Sequence, residues 1–293
     1  MWKGILLVLT GACSFGILST IVKLGYQQGF TLGELCALQA GIGMVILWLL
    51  HFFSRAPTPS LKHRDVRTFF ILGSSTGMVS ITYYLSVQYI PASVAIILLM
   101  QFTWMSMLAE LIIYKKRPSP IQWVAVALIL TGTLMASGIL NHNNATLHWQ
   151  GLVFGLLAAL CYTIFIVASS KASGTLSPVV KSAWMVTGAF VLICCIFPPA
   201  FIFNGKLTST PLLLWGLPLA IFGTVLPPLL FSKGMPKTGL ALGAILSAVE
   251  LPVAVLSATI MLKEAVSLIQ VAGIFIILLA IAAANLRKRV PAL

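Results

Sequence analysis

Gly239–Leu262 is a run of apolar and small residues with a single charge, Glu250, near its middle. A run of that length crosses a bilayer, since about 20 helical residues at about 1.5 Å each span the hydrocarbon core. A carboxylate at that depth is costly against acyl chains, so it must face a bundle interior or a wet cavity. Two residues on, Pro252 removes a backbone donor and crowds the carbonyl of residue 248, which loosens the helix beside the charge. Gly243, Ser247, Glu250, Ala254 and Ser257 follow at alternating steps of four and three, so they share one helical face. That face is expected to wall a central path enclosed by the other helices.

The chain is 59% hydrophobic and 8% charged, where a soluble domain carries about 25% charged residues. It reads as an integral membrane protein embedded in a lipid bilayer, one unit without a soluble domain. The net charge of +13 does not imply a nucleic-acid partner, because the Lys and Arg lie in short loops between apolar spans. Cys13, Cys36, Cys161, Cys194 and Cys195 all lie in apolar runs without CxxC spacing. They read as small hydrophobes, with no metal and no cofactor implied. Met1-Trp2-Lys3 and the apolar run to Cys13 imitate a lipoprotein leader. Thr10 stands where a Leu-like residue is wanted and the apolar run continues, so the segment reads as a retained first span.

Ten spans can be drawn, over 2–24, 32–53, 68–89, 92–114, 121–140, 150–170, 178–203, 211–232, 239–262 and 266–286. Pro57, Pro118, Asn141, Gly205 and Pro211 are among the turn residues between them. With the N-terminus in the cytoplasm, all but Lys23, Lys206 and Lys263 of the 18 Lys and Arg fall at inner ends. That is the positive-inside asymmetry, and it predicts a multi-pass protein of the cell inner membrane with both termini cytoplasmic. Trp2, Trp48, Trp123, Trp149 and Trp215 lie near span ends, as an interfacial belt would place them. Asn144-Ala145-Thr146 is a glycosylation sequon on the outer side.

The chain also repeats. Lys3-Gly4-Ile5-Leu6 aligns with Gln150-Gly151-Leu152-Val153, an interval of 147 (150 − 3). Gln122-Trp123-Val124-Ala125 aligns with Gln270-Val271-Ala272-Gly273, an interval of 148 (270 − 122). The halves 1–145 and 146–293 then hold five spans each. Five is odd, so the second half enters from the opposite face. The expected fold class is therefore all-α integral membrane, ten transmembrane helices as an inverted five-plus-five repeat, a plan that places a site at the midplane for alternating access.

Ten spans in two halves, a short N-terminal tail and the run Glu264-x-x-Ser267-x-x-Gln270-x-x-Gly273 resemble the EamA branch of the drug/metabolite transporter superfamily. The likeness covers essentially the whole chain. The first half departs from the pattern, with Lys116 at the place of Glu264 and Ala125 at that of Gly273. The resemblance implies secondary transport of small polar metabolites, amino acids and related compounds foremost, with export favoured over uptake.

Glu250 is the first candidate for the chemistry, as a coupling site for protons or a partner for a substrate ammonium; the alternative is a carboxylate that only ties two helices. Ser247 shares its face. Trp104 with Gln101 one turn before it, Tyr83 and Tyr84, Tyr162 and Phe165, Trp184 and Phe15 can together line a pocket for an organic cation or a zwitterion. Packing or lipid contact is the competing account for each ring. Tyr162 shares a face with Gly151, Gly155, Ala158 and Ser169, a small-residue stripe suited to close helix contact. Lys23 is expected to snorkel to headgroups, with a substrate carboxylate at the outer mouth as the alternative, and Glu110 to pair with Lys115 or Lys116 or to face water, with a gate role as the alternative. Glu34 opens span two at a helix N-terminus. Gly223, Pro227 and Pro228, with Pro198 and Pro199, are candidate hinges, and ordinary kinks or span ends are the equal alternative.

An enzyme is the other class to weigh. Gly73-Ser74-Ser75-Thr76-Gly77 matches GxSxG, but that motif needs a strand-to-helix elbow and a catalytic His, and here it lies inside an apolar span. Small-residue packing is the expected account. No HExxH and no phosphate-binding loop occur. The reading is a non-enzymatic secondary transporter, monomer or homodimer, with a small-molecule substrate. The runner-up is uptake of a quaternary amine such as choline, with Trp104, Tyr162 and Tyr84 as cage walls beside Glu250.

Overall fold

The apolar runs fold as helices whose ends follow local chemistry. The computed structural model describes residues 2–54, 63–90, 92–137, 139, 148–170, 177–199, 212–263 and 266–286, with no strand among them. The helices are α1 (Trp2–Gln27), α2 (Leu32–Phe53), α3 (His63–Tyr89), α4 (Ala92–Leu99), α5 (Phe102–Tyr114), α6 (Pro120–Ala136) and α7 (Trp149–Ser170). They continue with α8 (Pro178–Ile196), α9 (Leu212–Leu219), α10 (Leu226–Thr238), α11 (Leu240–Ser247), α12 (Glu250–Leu262) and α13 (Leu268–Leu286). A π-helical turn, Ala220–Val225, joins α9 to α10.

Seven stretches of the described residues are long and apolar enough to cross a membrane: Trp2–Gln27, Leu32–Phe53, Val94–Tyr114, Trp149–Ser170, Pro178–Ile196, Leu213–Thr238 and Leu240–Leu262. Pro120–Ala136 and Leu268–Ala284 are apolar but shorter, and α3 is not one of the seven. Length and hydropathy alone thus return fewer spans than the ten drawn from sequence. Arg55, Lys62, Lys171, Lys206, Glu264, Arg287 and the 144–146 sequon lie outside the described residues, as does the side chain of Lys23.

Caps explain the starts. Thr31 and Glu34 form a reciprocal capping box, the Thr31 N–H donating to Glu34 Oε2 at 2.9 Å and the Glu34 N–H to Thr31 Oγ1 at 3.4 Å. Ser119 N–H donates to Gln122 Oε1 at 2.8 Å, and Ser267 N–H to Gln270 Oε1 at 2.9 Å. α5 and α12 end on left-handed residues, Lys115 (φ 52) and Lys263 (φ 56). Two apolar spans are interrupted: α4 gives way to α5 at residues 100–101, and α11 to α12 at 248–249. At the second break Pro252 has no N–H for the Ala248 carbonyl, and the Leu251 N–H takes that carbonyl instead at 3.3 Å. The caps and breaks recur at the interval of 148 seen in the sequence (263 − 115, 267 − 119, 250 − 102).

Small residues let the helices approach closely and set their directions. Gly73 lies against Met185 and Gly77 against Ala189, so α3 and α8 run side by side in one direction. Gly4 lies on Lys237 and Gly11 on Phe231, which makes α1 antiparallel to α10. Gly16 meets Val253, and Thr20 Oγ1 is 2.6 Å from Ser257 Oγ, so α1 runs parallel to α12. Gly151 meets Ile90 and Gly155 meets Ser86, so α7 is antiparallel to α3. Gly155 also meets Leu98, and Tyr162 meets Phe102, so α7 runs parallel to α4 and α5. α2 crosses α8 antiparallel, with Gly33 on Phe197 and Gly41 on Phe190. α6 and α13 pair antiparallel through Gly132 and Gly273. The helix ends therefore fall on two faces: a near face with Trp2 and the α10–α11 turn, and a far face with Gln27 and the α12–α13 turn.

Three expectations change. Glu110 is buried, and its Oε2 accepts the Ala241 N–H at 3.2 Å, capping α11 instead of pairing with Lys115 or Lys116. Trp48 and Trp215 turn partly inward: the Trp48 N–H donates to Thr187 Oγ1 at 3.0 Å, and Trp215 packs on Ile21, Val22, Leu35 and Leu219. Of the two accounts of Pro198 and Pro199, the hinge gives way to the span end: both follow the end of α8 at Ile196.

Candidate functional site

A cavity of about 490 Å³ lies among the helices on the far side of the midplane. Phe15 to Tyr26 of α1, Cys36 to Ala40 of α2, Thr76 to Tyr84 of α3, and Val186 to Ile193 of α8 contribute to its wall. α12 contributes from Glu250 to Leu262, and Val266 and Gln270 mark its reach to the far face. Toward the near face the structure is filled: Phe102, Met107, Phe231, Met235 and Ile245 are all fully buried.

Glu250 stands at the boundary between cavity and packed half, at the first turn of α12, just after the break. Its carboxylate Oε2 accepts the phenolic O–H of Tyr162 at 2.9 Å. Tyr162 is fixed by its neighbours. Its ring stacks on Phe165 at 5.9 Å between centroids, tilts on Phe102 at 4.4 Å, and meets Phe15 edge-on at 5.9 Å. Aromatic pairs in these arrangements are attractive beyond their buried area, so the phenol is held in place. Among the described lining residues Glu250 is the only acidic or basic side chain. The site can therefore hold one cationic group or one proton at its floor, with rings of Phe15, Tyr83, Tyr84 and Phe165 in its lining.

The wall opposite is set by Pro227 and Pro228. Neither can donate, and the Leu226 N–H reaches back to the Ile221 carbonyl, which opens a π-helical turn. The Phe222 carbonyl is left over and accepts the Ser14 hydroxyl at 2.6 Å. Gly223 and Thr224 of this turn and Pro228 of α10 line the cavity. The side-chain amide of Gln39 packs against Gly223 and also lines it.

Of the sequence candidates, Glu250, Tyr162, Tyr84 and Phe15 come together on this cavity. Gln101, Trp104, Trp184 and Ser247 do not line it. Trp104 donates to Gln101 Oε1 at 2.8 Å, a pair closed on itself beside the α4–α5 break. Ser247 donates to the Gly243 carbonyl of its own helix at 2.9 Å. Trp184 packs edge-on to Trp48 at 5.2 Å. The face from Gly243 to Ser257 is divided: Glu250 and Ala254 look onto the cavity, while Gly243 packs on Met235 and Ser257 bonds Thr20 of α1. Gln39 and Tyr26 line the cavity without having been site candidates, and Gln270, marked in the sequence only by the repeat and the family-like run, lines it too. Gln39 could have been found as an amide alone in an apolar span. In the GxSxG segment, Ser75 donates to the Leu72 carbonyl of its own helix at 2.6 Å, and the glycines form the seam with α8.

The EamA-like transporter family model matches residues 2–138 and again 149–286. This chain belongs to that family. The uncharacterized transporter YcbK of Bacillus subtilis is 24% identical over 281 residues, covering 92% of this chain and 88% of its own. The threonine/homoserine exporter RhtA of Escherichia coli K12 is 26% identical over 261 residues, covering 86% and 81%. RhtA of Salmonella typhimurium LT2 is 25% identical over 252 residues, covering 83% and 78%. A crystal structure at 17% identity superposes with a TM-score of 0.73, covering 97% of this chain and 99% of its own, which shows a shared fold. With its apolar helices, the chain is a multi-pass membrane protein of a transporter family.

Proposed function

We propose that the protein is a secondary transporter that exports amino acids or closely related small metabolites by alternating access. The observation that carries the reading is the Glu250–Tyr162 pair at the floor of the far-face cavity, 2.9 Å apart. A carboxylate with one accepting oxygen engaged keeps the other for a substrate ammonium or a coupling proton. The threonine/homoserine exporters among the relatives support an amino-acid cargo.

The inverted five-plus-five architecture belongs to the same proposal. What supports it is that exchanging the halves keeps the packing. α1 lies antiparallel to α10 and parallel to α12, as α7 lies antiparallel to α3 and parallel to α4–α5. α2 with α8, and α6 with α13, pair antiparallel with their own counterparts. Broken helices facing a central cavity are a recurrent way to build such a site. In this reading the near face, with the start of α1 and the end of α13, is cytoplasmic and the membrane is the inner one. The proton is the coupling ion, and the protein works as a monomer or homodimer.

The ring-lined cavity favours one second reading, uptake of a quaternary amine such as choline. Counterflow in proteoliposomes separates the two. Labelled threonine or homoserine should exchange and labelled choline should not. Glu250→Gln should lower flux about tenfold or more, the size of a lost charge-assisted hydrogen bond of ~1.5 kcal/mol, and flatten the response to an imposed pH gradient. Wild-type flux with an unchanged pH response would remove Glu250 from the mechanism.

A further inference from the structure

Four buried polar atoms have no hydrogen-bond partner among the described residues: His51 Nδ1, Ser106 Oγ, Ser169 Oγ and Trp184 Nε1. None of the four residues lines the far-face cavity. All four lie toward the near face: His51 near the end of α2, Ser106 in α5, Ser169 at the end of α7, and Trp184 in the first half of α8. Ser106 and Ser169 are both 0% exposed. A buried hydroxyl without a partner costs about 1–3 kcal/mol, and such groups ask for an explanation. Among the described residues, all four lie in the filled half and none in the open half.

Among the described residues the same half holds two buried charges, each tied to a helix end. Glu110 caps the N-terminus of α11 through the Ala241 N–H at 3.2 Å. Lys181, 1% exposed, donates from Nζ to the Ser169 carbonyl near the C-terminus of α7 at 2.7 Å, and lies 5.1 Å from the Phe69 ring centroid. Both contacts satisfy groups left over at helix ends. Glu110 ties the first half of the chain to the second, and Lys181 ties α8 to α7 and α3. Ser106 stands one turn before Glu110, and Ser169 two turns after Tyr162, so both lie on the near-face side of the cavity floor.

We propose that Ser106, Ser169 and Trp184 line the near-face half of the transport passage, shut in this conformation, and that Glu110 and Lys181 are the latches that hold it shut. The proposal rests on the alternating-access reading above. When the far-face cavity closes, the latches leave the helix ends and the orphan hydroxyls and indole meet water and cargo. A passage with one carboxylate and one ammonium matches both ends of a zwitterionic amino acid; an organic cation would use only the carboxylate.

Single-cysteine reporters test this without any cargo. In a chain whose five native cysteines are replaced by Ala, Thr76→Cys reports on the cavity and Ser169→Cys on the near-face passage. The probe is a charged, membrane-impermeant methanethiosulfonate applied to the purified full-length protein. With the latches intact, Thr76→Cys should react about tenfold or more faster than Ser169→Cys. Glu110→Gln with Lys181→Met should reverse the order, raising the Ser169→Cys rate and lowering the Thr76→Cys rate each about tenfold, a shift of ~1.4 kcal/mol for each latch. Glu110→Gln alone, nearly isosteric, should move both rates in the same directions by less, which covers the case of a double variant that does not fold. Unchanged rates, or both sites becoming reactive together, would overturn the proposal. Because the readout is accessibility, a failed amino-acid counterflow leaves it standing, and a failed reversal leaves the substrate assignment standing.

Discussion

A carboxylate beside a phenol at mid-depth needs each partner for a different reason. Glu250 needs a donor, and Tyr162, held between Phe102 and Phe165, needs an acceptor for a buried hydroxyl. Tyr162→Phe should lower stability in detergent by about 1 kcal/mol, one net hydrogen bond, and lower the KM of substrate exchange, since Glu250 loses its internal competitor. A melting curve and a counterflow titration read both, and an unchanged KM and melting temperature would show the pair to be idle. Ser14→Ala should cost about 1–3 kcal/mol, because it orphans the Phe222 carbonyl in the π-helical turn; isosteric Ser14→Cys should cost less. The charge itself could be found from sequence, since a lone acid in an apolar run is conspicuous. Its partner could not: 88 positions separate the two residues, and only the fold brings their side chains together. Ser247 misled for a related reason, because a Ser on the right face can satisfy itself on its own helix.

Helix ends and breaks repeat across the two halves, and their energetics can be tested in pairs. Gln122→Ala and Gln270→Ala each remove a capping acceptor, at about 1 kcal/mol. Gln270→Ala should cost more, because Gln270 also donates from Nε2 to the Ala136 carbonyl at 3.3 Å and so ties α13 to α6. Equal losses in thermal denaturation would remove that cross-helix role. On the α3–α8 seam, Gly73→Val should be among the most damaging single substitutions in the chain. Its Cβ would run into the backbone of Met185, and overpacking of this kind costs about 1–3 kcal/mol or more. Val124→Ala, on the exposed side of α6, is the control that should leave the melting temperature in place. The break at 248–249 was foreseeable from Pro252. The break at 100–101 was not, since no proline stands there and only its spacing from the second break marks it.

Across the whole molecule the two halves interleave. α1 packs on α10 and α12, and α3 on α7 and α8, so each half buries its helices largely against the other. Residues 1–145 or 146–293 expressed alone should therefore be degraded or aggregate, whereas co-expression should yield a complex that purifies through a tag on one half. A stable, monodisperse single half would contradict that interdependence. The sequence by itself determined that the chain lives in lipid, that it repeats at an interval near 148, and that one acid must be sheltered, because hydropathy, cap chemistry and the cost of a charge in hydrocarbon are local properties. Only the tertiary structure decided which rings surround that acid, that Gln101, Trp104, Trp184 and Ser247 stand off the cavity, and that Glu110 and Lys181 are buried at helix ends. Those outcomes depend on how far each helix turns about its own axis and which neighbour it meets, and contacts between distant segments set both.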